Sequence, residues 1–121
     1  MGDRANFGFR DRKGDTVFLY GHWAGHRMLE NLAQAVHAAE SRWNDESYAT
    51  RIAISNLIND EWQSTTGWGI TVNELADNEH RVPIIDWNKK TFTLMEEDLT
   101  TEVFSTSLSS FVDKYSLVSV E

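Results

Sequence analysis

Two short clusters of polar and aromatic residues contain three of the four histidines of the chain. The first cluster lies in the stretch 19–27 and contributes Tyr20, His22, Trp23, His26 and Arg27. Imidazole exchanges protons near neutral pH and binds metals, aromatic rings stack on nucleobases, and guanidinium groups bind phosphates. The second cluster, 77–81, has the sequence Asp-Asn-Glu-His-Arg. It adds further donors and acceptors if the two loops meet.

A metal site is the first chemistry that the histidines suggest. His22 and His26 have the spacing of the two zinc ligands in the H-E-x-x-H motif, which needs both imidazoles on one helical face and a glutamate between them. The residues between them here are Trp, Ala and Gly, so the glutamate is missing and Gly25 disfavours a helix. We therefore predict no metal site and no cofactor.

Catalysis is the second chemistry to consider. His22 or His80 could act as a general acid or base. The sequence contains no Gly-x-Ser-x-Gly elbow and no Gly-x-x-x-x-Gly-Lys phosphate loop. We predict a protein without catalytic residues. A nucleotide-processing hydrolase that uses His22 and His80 remains the alternative.

A ligand pocket accounts for the two clusters better. Arginines near the ends of predicted elements suit bidentate contacts to phosphate, and tryptophan or tyrosine faces suit a stacked base. Asn6 and Asn78 could hydrogen-bond to the edge of that base. The competing interpretation is that Trp23 and Trp68 are core residues and the arginines are solvated. The predicted ligand-binding residues are Arg4, Tyr20, His22, Trp23, Arg27, Arg51, Trp68, Asp77, Asn78 and His80.

The composition limits the class of protein and its partners. The chain has 121 residues, a formal net charge of −8 and no cysteine. Negative charge disfavours nucleic-acid binding, and no apolar run or leader-like segment predicts a membrane contact, so we expect a cytoplasmic protein. The acidic residues are dispersed except for Glu96-Glu97-Asp98. An acidic inhibitor that binds a host protein is therefore a further alternative.

Hydrophobic patterning predicts one α+β domain, 1–121, with a mostly antiparallel sheet of about five strands in ββ-αα-βββ order. Two helices pack on one face of this sheet, a short C-terminal helix follows, and about 98–121 form a variable tail. Pro83 places its strand at a sheet edge, or itself at a strand start. The predicted strands are 5–10, 16–20, 67–72, 82–87 and 91–96, and the predicted helices are 26–42, 48–59 and 107–114, the last preceded by extended chain.

Four motifs in fixed order resemble a family of small proteins from actinobacteria and their phages. They are Met1-Gly2-Asp3-Arg4-Ala5-Asn6, Leu19 to Gly25, Thr66-Gly67-Trp68-Gly69-Ile70 and Asp77-Asn78-Glu79-His80, spread over roughly the first ninety residues. This resemblance implies kinship but brings no function with it.

A looser resemblance does suggest a function. The Gly-Asp-Arg-Ala start, the Tyr-x-His-Trp loop before a helix, Tyr48-Ala49-Thr50-Arg51, the Gly-x-Gly strand and Asp77-Asn78 are similar to phage signal sponges of the Thoeris anti-defence type. Such proteins form homo-oligomers and bind cyclic nucleotide or cyclic ADP-ribose-type messengers without cleaving them. The resemblance implies that Arg4, His22, Trp23, Arg51, Asp77 and Asn78 lie at or near the pocket. The sequence departs from the sponge pattern at Ala24 and at Glu79-His80.

Overall fold

A computed structural model describes residues 2–115, which form one mixed six-stranded sheet and three α-helices. The strands are β1 (Ala5–Arg10), β2 (Thr16–Gly21), β3 (Trp68–Val72), β4 (Val82–Asp86), β5 (Thr91–Met95) and β6 (Glu102–Ser107); the helices are α1 (Met28–Ala38), α2 (Glu46–Ile58) and α3 (Leu108–Tyr115).

The predicted hairpin of β1 and β2 is confirmed. The two strands are antiparallel, with Phe7 opposite Leu19. The turn between them is held by the Asp11 carboxylate, which accepts hydrogen bonds from the backbone N–H of Lys13 (2.8 Å) and Asp15 (3.0 Å). Gly14 in this turn has φ 91°, a conformation that costs glycine little. Alternation and turn chemistry therefore specify the hairpin locally.

The sheet has one strand more than the sequence predicts, and one pair of strands is parallel. The strand order is β3-β2-β1-β4-β5-β6, and all pairs are antiparallel except β1 with β4. The parallel pair joins strands separated by both long helices, because a parallel connection needs a long crossover. The prediction of five strands is thus wrong, while the α+β class and the mostly antiparallel sheet are confirmed.

Pro83 lies in a central strand rather than at a sheet edge. It is the second residue of β4, and pairing with β1 begins only at Ile84, which lies opposite Gly8. Proline is tolerated near a strand start because fewer ladder hydrogen bonds are lost there. The edge prediction is therefore wrong, and the prediction of a strand start is confirmed.

The helices cover one face of the sheet. β1 contributes Phe7 and Phe9 to the main core, and α1, which contacts both α2 and α3, contributes Leu32 and Val36. The first predicted helix is shorter than expected: α1 begins at Met28, and the segment Glu40–Arg42 is a separate 3-10 turn. A smaller core lies on the other face and is formed by Phe18, Val82 and Ile84, packed against Leu75, Met95 and Leu99.

Residues 102–115, within the predicted tail, form a strand and a helix of the fold. The extended chain before the last helix is β6, which pairs with β5 along its length. The predicted short helix is confirmed as α3. Its Phe111 is fully buried and stacks on Phe92, with ring centroids 4.0 Å apart and an interplanar angle of 4°. The part of the predicted tail after Tyr115 lies outside the described residues.

The acidic run Glu96-Glu97-Asp98 forms the turn between β5 and β6. Glu96 lies 3.4 Å from the Arg81 guanidinium, and Glu97 accepts a 2.6 Å hydrogen bond from Asn78. Backbone N–H donors of Thr100 and Thr101, with the Thr101 hydroxyl, lower the pKa of Asp98 from 3.8 to about 2. These carboxylates therefore have partners within the fold.

The Asp98→Asn substitution tests the role of this turn. We expect a lower melting temperature than that of the unsubstituted protein at pH 7, because the charge-assisted hydrogen bonds are weakened. A lowered pKa stabilises the folded state above pH 3.8 and loses that effect as the pH falls toward about 2. The difference in melting temperature should therefore narrow over that window. Asp113→Asn on α3 is the control, and a pH-independent difference for Asp98→Asn would contradict the assignment.

Within residues 2–115, no helix combines the length and apolar character that crossing a membrane requires.

Candidate functional site

The N-terminal segment joins the two clusters that the sequence singles out. The backbone N–H of Asp3 donates to the carbonyl oxygen of His22 (2.8 Å), and that of Gly25 donates to Asp3 (2.9 Å). The Asp3 carboxylate lies 2.6 Å from Nε2 of His80. The predicted approach of loop 77–81 to loop 19–27 thus occurs, with Asp3 between them.

Arg4 is engaged by two carboxylates of the second cluster. Its guanidinium lies 2.9 Å from Asp77 and 3.4 Å from Glu79. The 2.9 Å contact involves Nε, which is buried and makes no hydrogen bond to the described residues, so it is an ion pair without hydrogen-bond alignment. The backbone N–H of Glu79 also donates to the carbonyl oxygen of Arg4 (2.9 Å), and the backbone N–H of Arg4 donates to Oε1 of Glu79 (2.8 Å). A phosphate would have to displace both carboxylates to reach this arginine.

Asn6 holds the loop that carries the second cluster. Its side chain is fully buried, and its Nδ2 lies within hydrogen-bond distance of the carbonyl oxygens of Ala76 and Asp77 and of Oδ1 of Asn78. Its Oδ1 accepts from the backbone N–H of Ala76 at 3.3 Å. Asn78 in turn donates to the carbonyl oxygen of His80 and to Glu97. The hydrogen bonds of both asparagines therefore fix the conformation of the loop that carries the second cluster.

Gly25 is where the first cluster approaches the His80–Asp3 pair most closely. A Cβ at this position would overlap Nε2 of His80 and Oδ1 of Asp3, and would lie 2.6 Å from the Asp3 Cγ. Because Gly25 has no side chain, the His80–Asp3 pair can lie directly against its backbone.

We expect Gly25→Ala to separate His80 from Asp3 and to lower stability by about 1–3 kcal/mol, the usual cost of overpacking. Denaturant unfolding gives the free energy, and hydrogen exchange at the Asp3 and Gly25 amides reports the local opening. Gly69→Ala is the matched control, since its Cβ would meet nothing closer than Tyr20 at 4.0 Å. Equal stability of the two variants would contradict the close packing at Gly25.

Tyr20, His22 and Trp23 form a short aromatic row. The Tyr20 hydroxyl lies 2.8 Å from Nδ1 of His22, and the His22 ring meets the Trp23 ring edge-on, with centroids 4.4 Å apart. Trp23 nevertheless has 64% of its surface exposed. An exposed indole held by a fixed neighbour offers a ready surface for stacking.

Trp23 and Trp68 meet at one cavity of about 200 Å³. The indole Nε1 of Trp68 donates a 2.7 Å hydrogen bond to Oε1 of Glu61, the one charged residue of the lining. The interpretation that both tryptophans are core residues fails for Trp23, while Trp68 is half-buried and packs against the main core. The remaining lining residues are Ser64, Thr66 and Gly67.

None of the three predicted arginines lines this cavity. Arg27 is exposed, has φ 57° and precedes α1. Arg51 lies on the exposed side of α2, where its guanidinium donates to Ser55 at 3.3 Å. Neither arginine forms an ion pair with another residue in the described part of the chain.

Several site residues were not predicted from the sequence. Asp3 and Glu79 pair with His80 and Arg4, and Glu61 lies beside Trp68. Glu79 lies in the second cluster and Asp3 in the first of the four motifs, while Glu61 lies in a polar segment next to Trp62, but none of the three was predicted to be a site residue. The partners Asp3 and His80 are 77 positions apart, and no local pattern connects them.

A larger cavity, about 350 Å³, lies elsewhere, beyond the ends of the parallel strands β1 and β4. Its cations have partners already, because Arg12 lies 3.9 Å from Glu46 and Lys90 donates to the carbonyl oxygen of Trp87 at 2.9 Å. Across residues 2–115, no three histidine, aspartate or glutamate side chains are grouped as they would be to hold a metal ion.

No protein-family model, curated protein or solved structure matches this chain. The likeness to phage signal sponges therefore rests on the sequence motifs alone.

Proposed function

We propose that this protein is a phage anti-defence protein that binds a cyclic nucleotide or cyclic ADP-ribose-type messenger and sequesters it without cleavage. The observation that carries the proposal is the meeting of Trp23 and Trp68 at one cavity. Their sequence motifs are also two of those that resemble the signal sponges.

The cavity suits a nucleobase better than a sugar or a phosphate. The exposed Trp23 ring provides a face for stacking, which contributes about 1–3 kcal/mol per base. Oε1 of Glu61 already accepts from Trp68, which leaves Oε2 to accept from an exocyclic amino group. A base with such an amino group, adenine for example, is the proposed occupant.

The phosphates of the ligand would lie outside the cavity. The Glu61 carboxylate repels them from the lining, while Arg27 lies four residues beyond Trp23 with its side chain exposed. Arg4 would contribute only if a phosphate replaced Asp77 and Glu79, so we assign it to holding the second cluster. A homo-oligomer is part of the proposal, because a second copy would supply further arginines and close the open cavity.

Calorimetry tests this proposal with a panel of cyclic dinucleotides, cyclic trinucleotides and cyclic ADP-ribose isomers. We expect one class to bind with micromolar affinity or better, and Trp23→Ala to weaken that binding about 10–100-fold, as loss of one stacked base predicts. Trp62→Ala is the matched control, because Trp62 is similarly exposed (71% against 64% for Trp23) but does not line the Trp23 cavity. If no member of the panel binds, or both variants lose equal affinity, the proposal fails.

The two alternatives predict different results in the same samples. A hydrolase that uses His22 and His80 would release cleaved products, which chromatography detects after incubation with a divalent metal. An acidic inhibitor would capture a stoichiometric host protein and lose it on charge reversal at 96–98. Binding of intact ligand without either result favours the sponge.

A further inference from the structure

The backbone of β3 presents hydrogen-bonding groups at an open edge of the sheet. The N–H of His22 donates to the carbonyl oxygen of Gly67, and that of Asn73 donates to Thr16, both at 2.8 Å. Alternate residues of an antiparallel strand bond to the same neighbour, so the set that faces β2 is 67, 69, 71 and 73. Trp68, Ile70 and Val72 therefore point their N–H and C=O groups away from β2. No strand of residues 2–115 pairs there.

The same three residues place their side chains on the helix-covered face. Ile70 lies opposite Leu19, which belongs to the main core, and side chains opposite each other share a face. At this edge the face remains uncovered: Ile70 is 58% exposed and Val72 57%. Trp62, 71% exposed, shares with Ile70 a cavity of about 270 Å³. Edge strands this apolar ordinarily avoid solvent.

The chain segment that contains β3 carries charge of one sign. No lysine or arginine occurs between Arg51 and Arg81, whereas that segment contains five carboxylates. Asp77 and Glu79 lie at Arg4, but Asp60, Glu61 and Glu74 form no ion pair with another residue among those described. Glu61 is the one charged residue that lines the Trp62–Ile70 cavity. The apolar edge is thus bordered by Glu61, and the same chain segment carries two further carboxylates, Asp60 and Glu74, that form no ion pair among the described residues.

We propose that the β3 edge binds an extended segment of another protein, in which alternate apolar residues are flanked by lysine or arginine. Such a segment would add a seventh strand, with main-chain hydrogen bonds to Trp68, Ile70 and Val72. Its apolar side chains would cover Trp62 and Ile70, and its cations would meet Asp60, Glu61 and Glu74. A second copy of this chain fits less well, because antiparallel β3–β3 pairing would bring two acidic borders together. The proposal does not require nucleotide binding, and its site shares Glu61 and Trp68 with the Trp23 cavity.

A pair of synthetic peptides tests the proposal on the full chain. The probe is capped Lys-Val-Thr-Val-Thr-Val-Lys, and its control replaces both lysines with glutamate. We expect the lysine peptide to bind at least about tenfold more tightly and to slow hydrogen exchange at the Ile70 and Val72 amides. Ile70→Lys should weaken its binding by at least about tenfold, because it removes an apolar contact and adds like charge. Val103→Lys on β6, the other edge strand, should leave binding unchanged.

Three results would overturn the proposal. The first is equal affinity for the two peptides, or binding of neither. The second is slowed exchange at β6 rather than at Ile70 and Val72. The third is a dimer of the protein alone whose formation slows exchange at those two amides, which would assign the edge to a second copy. Melting curves of both lysine variants establish that each is folded before binding is measured.

Discussion

Asn6→Asp is expected to lower the free energy of unfolding by about 3–4 kcal/mol at pH 7, because it buries a charge and removes both amide donors. The substitution keeps the size of a fully buried side chain, but the carbonyl oxygens of Ala76 and Asp77 and Oδ1 of Asn78 would face a carboxylate. Urea unfolding gives the stability, and hydrogen exchange over 76–80 reports the release of the loop.

The pH dependence of the lost free energy of unfolding shows whether the loss comes from the buried charge of the introduced carboxylate or from a general packing defect of the Asn6→Asp variant. A protonated aspartic acid regains one O–H donor, so the loss should shrink as the pH falls. Asn88→Asp adds the same charge at an exposed turn position and should change stability little. A loss that is small, or that is unaffected by pH, would mean that Asn6 does not hold the second cluster in place.

Phe111→Ala is expected to destabilise the protein by about 3–5 kcal/mol, the usual cost of truncating a fully buried phenylalanine. Phe111 is 0% exposed and stacks on Phe92 of β5, so its removal opens a cavity between α3 and the sheet. Chemical denaturation followed by circular dichroism measures the loss.

Ser109→Ala provides the comparison for this helix. Ser109 is exposed on α3, and its substitution should change stability by less than about 0.5 kcal/mol. If Phe111→Ala changed stability as little as Ser109→Ala, the packing of α3 on the sheet would contribute little to the stability of the core.

The local elements could be predicted because their patterns are local. Alternation in 5–10 and in 91–96, and the aspartate–glycine turn between β1 and β2, define strands and a hairpin without reference to distant residues. β6 could be predicted only as extended chain, because its serines and threonines show weak alternation. Its place in the sheet depends on pairing with β5, and the parallel contact of β1 with β4 depends on a crossover of about seventy residues. Neither has a local signal.

The candidate site was predictable in part for the same reason. Residue types located the aromatic loop at Trp23 and the polar loop at 77–81, and both loops do meet the N-terminal segment. The partners of each charge could not be predicted. Arg4 suggests a phosphate ligand when it is considered alone, yet Asp77 lies 2.9 Å from its Nε in the fold. Ion pairs between residues more than seventy positions apart therefore determine which arginines are left to bind a phosphate.

The fate of a bound messenger distinguishes sequestration from cleavage. The protein is incubated with the cyclic nucleotide or cyclic ADP-ribose isomer that binds in calorimetry, freed of unbound ligand by gel filtration, denatured by heat, and the supernatant is analysed by mass spectrometry. We predict that intact ligand is recovered in a fixed ratio to protein, and that Trp23→Ala protein retains far less. Recovery of cleaved products, or of no ligand from the unsubstituted protein, would contradict sequestration.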